Sequence, residues 1–598
     1  MCGIAGILSN NHSVEALETR IQWMQKAQEH RGPDDRGIYF APTQQAVFAH
    51  TRLSILDLSS AGHQPMSIDD GRYWITFNGE IYNFKELRKK LIAKGEEFNS
   101  NTDTEVILKL YKHQGKDCVN DLRGMFAFAI WDDLEKTCFL ARDPLGIKPL
   151  YYYQEGSTLV FASELKAILA SKLPKLNFSS EGLYGYLITG TVPEPYTMID
   201  GIETLEAGHW LFWQNGNLTK KYYWQIELSL SNISQAEAME KTRKALIESI
   251  KYHFISDVPV GIFLSGGIDS TSVLALARQT QTGMLKTYSI AFAENEWNEG
   301  EVAKKTAQHF ETEHIEYKVT CSIGRDLFED FLEQIDQPSI DGFNTFCVSQ
   351  ISRQDGTKVV LSGLGGDEFF GGYQSFQKIP KMVRWGQKLQ TIKPMTNILG
   401  RMLTSLANSP RYQRLGDFLV SEPTSSNAYL SFRGIFSHQE AVAIAKQYLP
   451  DFSTPFSLFS DPNLNQQPSL EDQVSYLEIS RYMRNQLLRD SDVMSMAHGL
   501  ELRVPLVDQV LLETIASIPS EIRLAQGKKL LIKSIPELPE WVINRPKQGF
   551  SFPYQKWLGG EWKHYFNSFD APKNVNIDLW YRRWALGILN YWWQQVIK

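Results

Sequence analysis

Val258-Pro259-Val260-Gly261-Ile262-Phe263-Leu264-Ser265-Gly266-Gly267-Ile268-Asp269-Ser270-Thr271-Ser272 decides the fold of the larger part of this chain. The apolar run Val258–Leu264 reads as a strand, and two adjacent glycines carry it straight into a helical pattern over Thr271–Gln279. Leu285–Phe292 reads as the next strand and Glu299–Phe310 as a helix. Lys358–Leu361 is another strand that enters a glycine turn, Ser362-Gly363-Leu364-Gly365-Gly366-Asp367-Glu368. Strands alternating with helices predict an α/β doubly wound parallel sheet, with ligands at the carboxyl ends of the strands. At such an end, two glycines flanked by the Ser265 and Ser270 hydroxyls let backbone N–H groups converge on a phosphate at a helix N-terminus. The loop lacks the lysine of a GxxxxGK[ST] loop. Asp269 and Asp367 would lie at one sheet edge, where two carboxylates can share Mg²⁺ that bridges phosphate groups.

Working outward, Tyr373 to Asn465 predicts helical additions and little else. Upstream, the polar stretch Ser229-Leu230-Ser231-Asn232-Ile233-Ser234-Gln235 can cap a long helix running to about Tyr252. Before Trp224 the texture is different. Ala46–His50, Tyr73–Asn78, Phe126–Trp131, Thr137–Ala141, Tyr151–Gln154 and Thr158–Ala162 read as short strands. Glu15–Glu29, Lys85–Lys94 and Thr104–Gln114 read as helices. This is an α+β region rich in antiparallel sheet. The chain therefore divides into an expected domain over 2–215 and a second over 235–598.

Composition bounds the function. The 598 residues exceed what one core organises, and 43% apolar with 22% charged residues is a globular composition. A net charge of −7 and the lack of an evident basic stripe give no reason to expect nucleic acid or a membrane as partner. The five cysteines, Cys2, Cys118, Cys138, Cys321 and Cys347, show neither metal-ligand spacing nor a disulfide framework. With no signal-peptide pattern and no 18-residue apolar run, the expectation is a protein of the reducing cytoplasm.

Cys2 directly follows the initiator Met, which so small a neighbour allows to be clipped. A thiol beside a free α-amine combines the strongest ordinary nucleophile with a built-in base. Around it run, in order, Met1-Cys2-Gly3-Ile4-Ala5-Gly6, His30-Arg31-Gly32-Pro33-Asp34, Arg52-Leu53-Ser54-Ile55-Leu56-Asp57, Asn78-Gly79-Glu80-Ile81-Tyr82-Asn83, Thr102-Asp103-Thr104-Glu105 and Arg142-Asp143-Pro144-Leu145-Gly146-Ile147-Lys148-Pro149. This set resembles the N-terminal-nucleophile glutaminase domain of class II glutamine amidotransferases. The resemblance implies that Cys2 attacks the glutamine amide. The Asn78 side chain and the Gly79 N–H would hold the oxyanion. Arg52 would match the α-carboxylate, and Asp103, helped by Glu80, the α-ammonium.

The glycine loop, together with Met494-Ser495-Met496-Ala497-His498-Gly499-Leu500-Glu501-Leu502-Arg503-Val504-Pro505-Leu506-Val507-Asp508 and Gly527-Lys528-Lys529-Leu530-Leu531-Ile532-Lys533, resembles the synthetase domain of glutamine-hydrolysing asparagine synthetases. That resemblance implies an ATP-pyrophosphatase-type loop, cleavage between the α- and β-phosphates, and adenylation of a carboxylate. It places Leu264, Ser265, Gly266, Gly267, Asp269, Ser270, Ile290, Ser362 and Gly363 at ATP, Asp269 and Asp367 at Mg²⁺, and Lys529 at the α-phosphate. It also implies L-aspartate as acceptor, ammonia channelled between the sites, and a homodimer. One position departs. Leu364 stands where many asparagine synthetases carry an acid, which opens a second expectation, a carboxylate such as a sugar uronic acid.

Overall fold

The computed structural model describes residues 2–10, 14–228, 232–292, 299–406, 409–455, 457–546, 552–566, 571–573 and 575–597. The first part of the chain carries β1 (Gly3–Leu8), β2 (Asp35–Phe40), β3 (Ala46–Arg52), β4 (Met66–Ile68), β5 (Tyr73–Ile81), β6 (Gly124–Asp132), β7 (Thr137–Arg142), β8 (Tyr151–Glu155), β9 (Thr158–Ala162), β10 (Ile202–Thr204), β11 (His209–Gln214) and β12 (Asn217–Tyr222). They form two six-stranded antiparallel sheets, ordered β10-β8-β9-β1-β3-β2 and β12-β11-β7-β6-β5-β4.

The sheets pack face to face. Ile4 and Leu8 of β1 share a core with Phe48, Phe161, Ala127, Trp131 and Leu140, while Ala5 and Ile7 face the helix Val14–Ala27 through Leu17 and Ile21. On the far side, Ile75 and Phe77 of β5 pack on the helices Phe84–Ala93 and Asp103–Gln114. This is an α+β four-layer sandwich built on the two-residue alternation of strands. Fully burying one ring such as Phe161 contributes roughly 1.5–3 kcal/mol. β1 escaped the strand reading because both of its faces are covered. It is apolar throughout and shows no alternation.

The second part holds β13 (Val260–Phe263), β14 (Lys286–Phe292), β15 (Glu313–Val319), β16 (Val359–Leu361) and β17 (Glu501–Arg503), all parallel, in the order β15-β14-β13-β16-β17. The order reverses between β13 and β16, so the loops that leave these two strands open at the topological switch point of a doubly wound sheet. Ser234 caps the helix Gln235–His253 by accepting the Glu237 N–H; Ser229, Leu230 and Ser231 of the expected capping stretch lie outside the described residues.

The two parts share a core. Leu53, Ile55, Tyr82, Met125, Leu145 and Ile147 are buried in the cluster that contains Leu361, Leu502 and Val504. Buried charges also cross the junction. Arg31 bonds Glu164 at 2.9 Å and Asp492 at 2.7 Å, and Lys148 reaches the other Asp492 oxygen at 3.2 Å. Removing one partner from such a buried set typically costs about 3–5 kcal/mol, so it fixes how the halves meet. Among the described residues, no helix is long and apolar enough to cross a membrane.

Candidate functional site

The pocket at the start of β1 is assembled by strand alternation. Cys2, Arg52, Gly79, Glu80, Thr102 and Asp103 line it. Asn78 and Phe77 are neighbours on β5 with opposite orientations; Phe77 joins the helix-facing core, and the Asn78 side-chain Oδ1 accepts the Cys2 backbone N–H at 3.0 Å. The Asn78 amide nitrogen is buried and has no hydrogen-bond partner among the described residues. An orphan donor costs about 1–3 kcal/mol, so its retention beside a thiol fits a site built for an incoming oxygen. An added Cβ at Gly79 would come within 2.1 Å of the Met125 carbonyl oxygen, which restricts this position to glycine.

Arg52 ends β3, and its guanidinium is held by the carbonyls of Ser59 (3.2 Å), Leu56 (3.2 Å) and Asp57 (2.6 Å). Among the described residues no carboxylate pairs with it, which leaves a positioned cation for an anionic group. Asp103 opens the helix Asp103–Gln114, accepts the Ile81 N–H at 2.8 Å, and has its carboxyl pushed up to about 6 by burial. Burial and the nearby Glu501 raise the Glu80 carboxyl well above its ordinary range, against the pull of Arg503. Burial also raises the Cys2 thiol. Met1, expected to be removed, lies outside the described residues.

At the switch point, a cavity of about 270 Å³ is lined by Leu264, Ser265, Asp269, Ser270, Ile290, Ser362 and Gly363 from the expected set, and by Leu364, Asp341, Asn344 and Asp490 besides. Gly267 caps the helix Ile268–Thr280. Ser265 folds the turn back on itself: its hydroxyl meets that of Ser270 at 2.9 Å and accepts the Gly267 N–H at 3.2 Å. The two glycine loops touch. An added Cβ would come within 2.5 Å of the Ser270 nitrogen at Gly363, and within 2.2 Å of an Asp269 oxygen at Gly366.

Asp269 and Asp367 thus converge, and a lysine joins them. It is Lys528, not Lys529. The Lys528 ammonium bonds Asp269 at 2.5 Å and also pairs with Asp367, whereas the side chain of Lys529 is exposed. Burial pulls the Lys528 ammonium down, but the two carboxylates hold its pKa above the ordinary lysine value. Lys528 takes the left-handed conformation at φ +57°, directly after Gly527, and this turn aims the first lysine of the pair inward. Beside the loop, the Glu299 carboxylate pairs with Arg545 at 3.2 Å, and neither Gly266 nor Gly267 lines the cavity. Among the described residues no group of three or more His, Cys, Asp or Glu could hold a metal. Two hard carboxylate oxygens on facing loops suit Mg²⁺ whose remaining ligands are phosphate oxygens and water.

Sequence reading missed what connects the two sites. Arg503 ends β17, and its guanidinium donates to Glu501 (2.5 Å) and to the carbonyls of His253 (2.8 Å) and Ile255 (2.7 Å), and lies 3.4 Å from Glu80 of the cysteine pocket. Its backbone carbonyl accepts the Ser362 N–H at 2.8 Å, in the loop at the second cavity. The signal was present in Glu501-Leu502-Arg503, a strand whose alternate residues are charged yet fully buried.

Comparison with known proteins gives the family of each part. Residues 1–224 match the family model described as a glutamine amidotransferase domain, and residues 241–589 the one described as asparagine synthase. The chain is 33% identical over 583 residues to the glutamine-hydrolyzing asparagine synthetase 1 of Bacillus subtilis (strain 168), covering 94% of this chain and 88% of the relative. It is 38% identical over 431 residues to a putative glutamine-hydrolyzing asparagine synthetase 2 of Methanocaldococcus jannaschii, covering 67% of this chain and 82% of the relative. A third relative, amidase chry2 of Gibberella zeae, is 28% identical over 626 residues and covers 94% of this chain and 90% of its own length.

Proposed function

This chain belongs to the asparagine synthase family with an N-terminal glutamine amidotransferase domain, and on that premise we propose that its acceptor is L-aspartate. In this reading Cys2 attacks the side-chain amide of glutamine, and the oxyanion forms against the Asn78 amide and the Gly79 N–H. Arg52 takes the substrate α-carboxylate, and Asp103 with Glu80 takes the α-ammonium. Collapse of the intermediate releases ammonia and leaves a thioester, which water hydrolyses to glutamate. At the second cavity the aspartate side-chain carboxylate attacks the α-phosphorus of ATP and pyrophosphate departs. Ammonia then displaces AMP, giving asparagine.

The observation that carries the reading is the convergence of Asp269 and Asp367 on one buried lysine, in the same chain as the Cys2 pocket and linked to it through Arg503. When bound, Mg²⁺ would neutralise charge on the phosphates. Asp269 and Asp367 are the residues we assign to hold it, and Lys528 would turn from them to the phosphates. Leu364 carries no proton-handling group, but Asp341 and Asp490 line the same cavity with carboxyls raised by burial, Asp490 to about 7. A carboxyl near 7 is well matched to taking the ammonia proton. We place the reaction in a reducing cytoplasm, where the Cys2 thiol is preserved.

Leu364 also favours a second reading, the same two-step chemistry on another acid such as a sugar uronic acid. AMP release by the purified chain with glutamine, ATP and Mg²⁺ separates the two. L-Aspartate should stimulate it with asparagine formed in equal amount. If aspartate fails and a uronic acid succeeds, the aspartate assignment falls.

A further inference from the structure

The helix Lys393–Leu406 turns its apolar side outward. The residues it buries are Thr396, Gly400 and Thr404, spaced four apart, and Gly400 sits so close to the helix Pro410–Val420 that an added Cβ would lie 2.8 Å from the Gly416 carbonyl oxygen. Its large apolar residues face solvent: Met395, Ile398, Leu399, Met402 and Leu406 are between 50% and 74% exposed. At 100° per residue these five fall within an arc of about 100°, the width of the stripe a helix normally turns to a core. Trp385 and Ile392 before them and Tyr412 after them are exposed as well.

Charge identifies what would cover this face. Residues 369–416 contain eight Lys and Arg and no Asp or Glu, in a chain whose net charge is −7. Six of these cations, Lys378, Lys381, Arg384, Lys388, Arg401 and Arg411, are exposed, and Arg384 pairs with Glu471. A second copy of the chain is a poor occupant, because a two-fold contact would set this cationic block against itself. An anionic surface that is apolar beneath matches both features. We propose that the helices Ser375–Leu389, Lys393–Leu406 and Pro410–Val420 dock on a bilayer containing anionic lipid. The Met, Ile and Leu arc of Lys393–Leu406 enters the boundary between headgroups and acyl chains, and the flanking cations meet the headgroups. The whole-chain charge, which predicted no membrane partner, averages this block away.

Flotation of the full-length protein with vesicles tests the proposal. The protein should float with phosphatidylcholine vesicles containing phosphatidylglycerol, stay behind with phosphatidylcholine alone, and be released by high salt. Ile398→Asp combined with Met402→Asp, and separately Lys381→Glu combined with Lys388→Glu, should each lower the bound fraction by about tenfold or more. Glutamine hydrolysis at Cys2 should be unchanged in both, which certifies the fold. No flotation with anionic vesicles, or flotation that survives both pairs of substitutions, overturns the proposal. So does self-association of the parent protein that Ile398→Asp with Met402→Asp abolishes, because the occupant is then a second copy.

Discussion

The two reaction sites are prepared for their substrates in opposite ways. Around Cys2 the recognition groups stand ready: among the described residues the buried Asn78 amide nitrogen has no partner, and the Arg52 guanidinium is steadied by three backbone carbonyls and by no carboxylate. At the cavity proposed for ATP the charges already satisfy one another, Lys528 on Asp269 and Asp367, and Arg545 on Glu299. The first site rests mainly on strand ends and a helix start, so its geometry is set by folding. The second is made of loops that meet, and in the proposed reading its charged groups exchange partners when phosphates enter. Preorganisation suits a step that develops a small, localised oxyanion. Exchange suits a highly charged ligand, since an empty cavity with two bare carboxylates would be costly to bury.

The largest expected effect separates the sites outright. Cys2→Ala should lower glutamine hydrolysis by at least about 10³-fold, while AMP formation driven by ammonium salts stays within about twofold. Loss of both together would break the comparison, because it would mean one site and not two. Asp269→Asn or Asp367→Asn should do the reverse, reducing Mg²⁺-dependent AMP formation by about 10²–10³-fold with glutaminase activity retained. Oxygen-18 placed in the acceptor carboxylate should appear in AMP; label in inorganic phosphate would overturn adenylation.

A sharper test concerns neighbouring lysines. Lys528→Met should cost about 10²-fold in AMP formation, whereas Lys529→Met should change it by less than about twofold. Equal losses would return the role to Lys529. The smallest effect is in the pH profile. Protonated Asp103 cannot pair with the substrate ammonium, so kcat/KM for glutamine should fall about tenfold per unit once pH drops below about 6, the value to which burial raises this carboxyl. Asp103→Asn, which cannot titrate, should lower kcat/KM for glutamine and remove that limb, and a limb that persists in this variant would assign it to another group.

Much of this was legible beforehand because the signals are local. The strand, glycine turn and helix around Ser265–Ser270 need nothing beyond their own neighbours to form; β13 lies inside the expected Val258–Leu264, and the helix Ile268–Thr280 contains the expected Thr271–Gln279 and begins three residues earlier. β9 occupies the expected residues, Thr158–Ala162. Strands covered on both faces, such as β1, and short or exposed ones, such as β10 and β12, carry no clean alternation and were missed. The outward apolar arc of Lys393–Leu406 was read simply as a helix, since periodicity reports that one face is apolar and is silent on which way it points.

The sequence by itself determined both layer architectures, the cysteine at the head of the first, and the two aspartates that end the second sheet's glycine turns. Each follows from side-chain alternation, turn chemistry and residue type within a short window. Tertiary structure decided which of two adjacent lysines reaches those aspartates, that Arg503 joins Glu80 to the Ser362 loop, and that Asp341 and Asp490 face the cavity left without an acid at Leu364. The physical reason is the same in each case. A buried charge is tolerated where partners distant in the chain are brought to it, and which partners meet depends on how the sheets and loops pack.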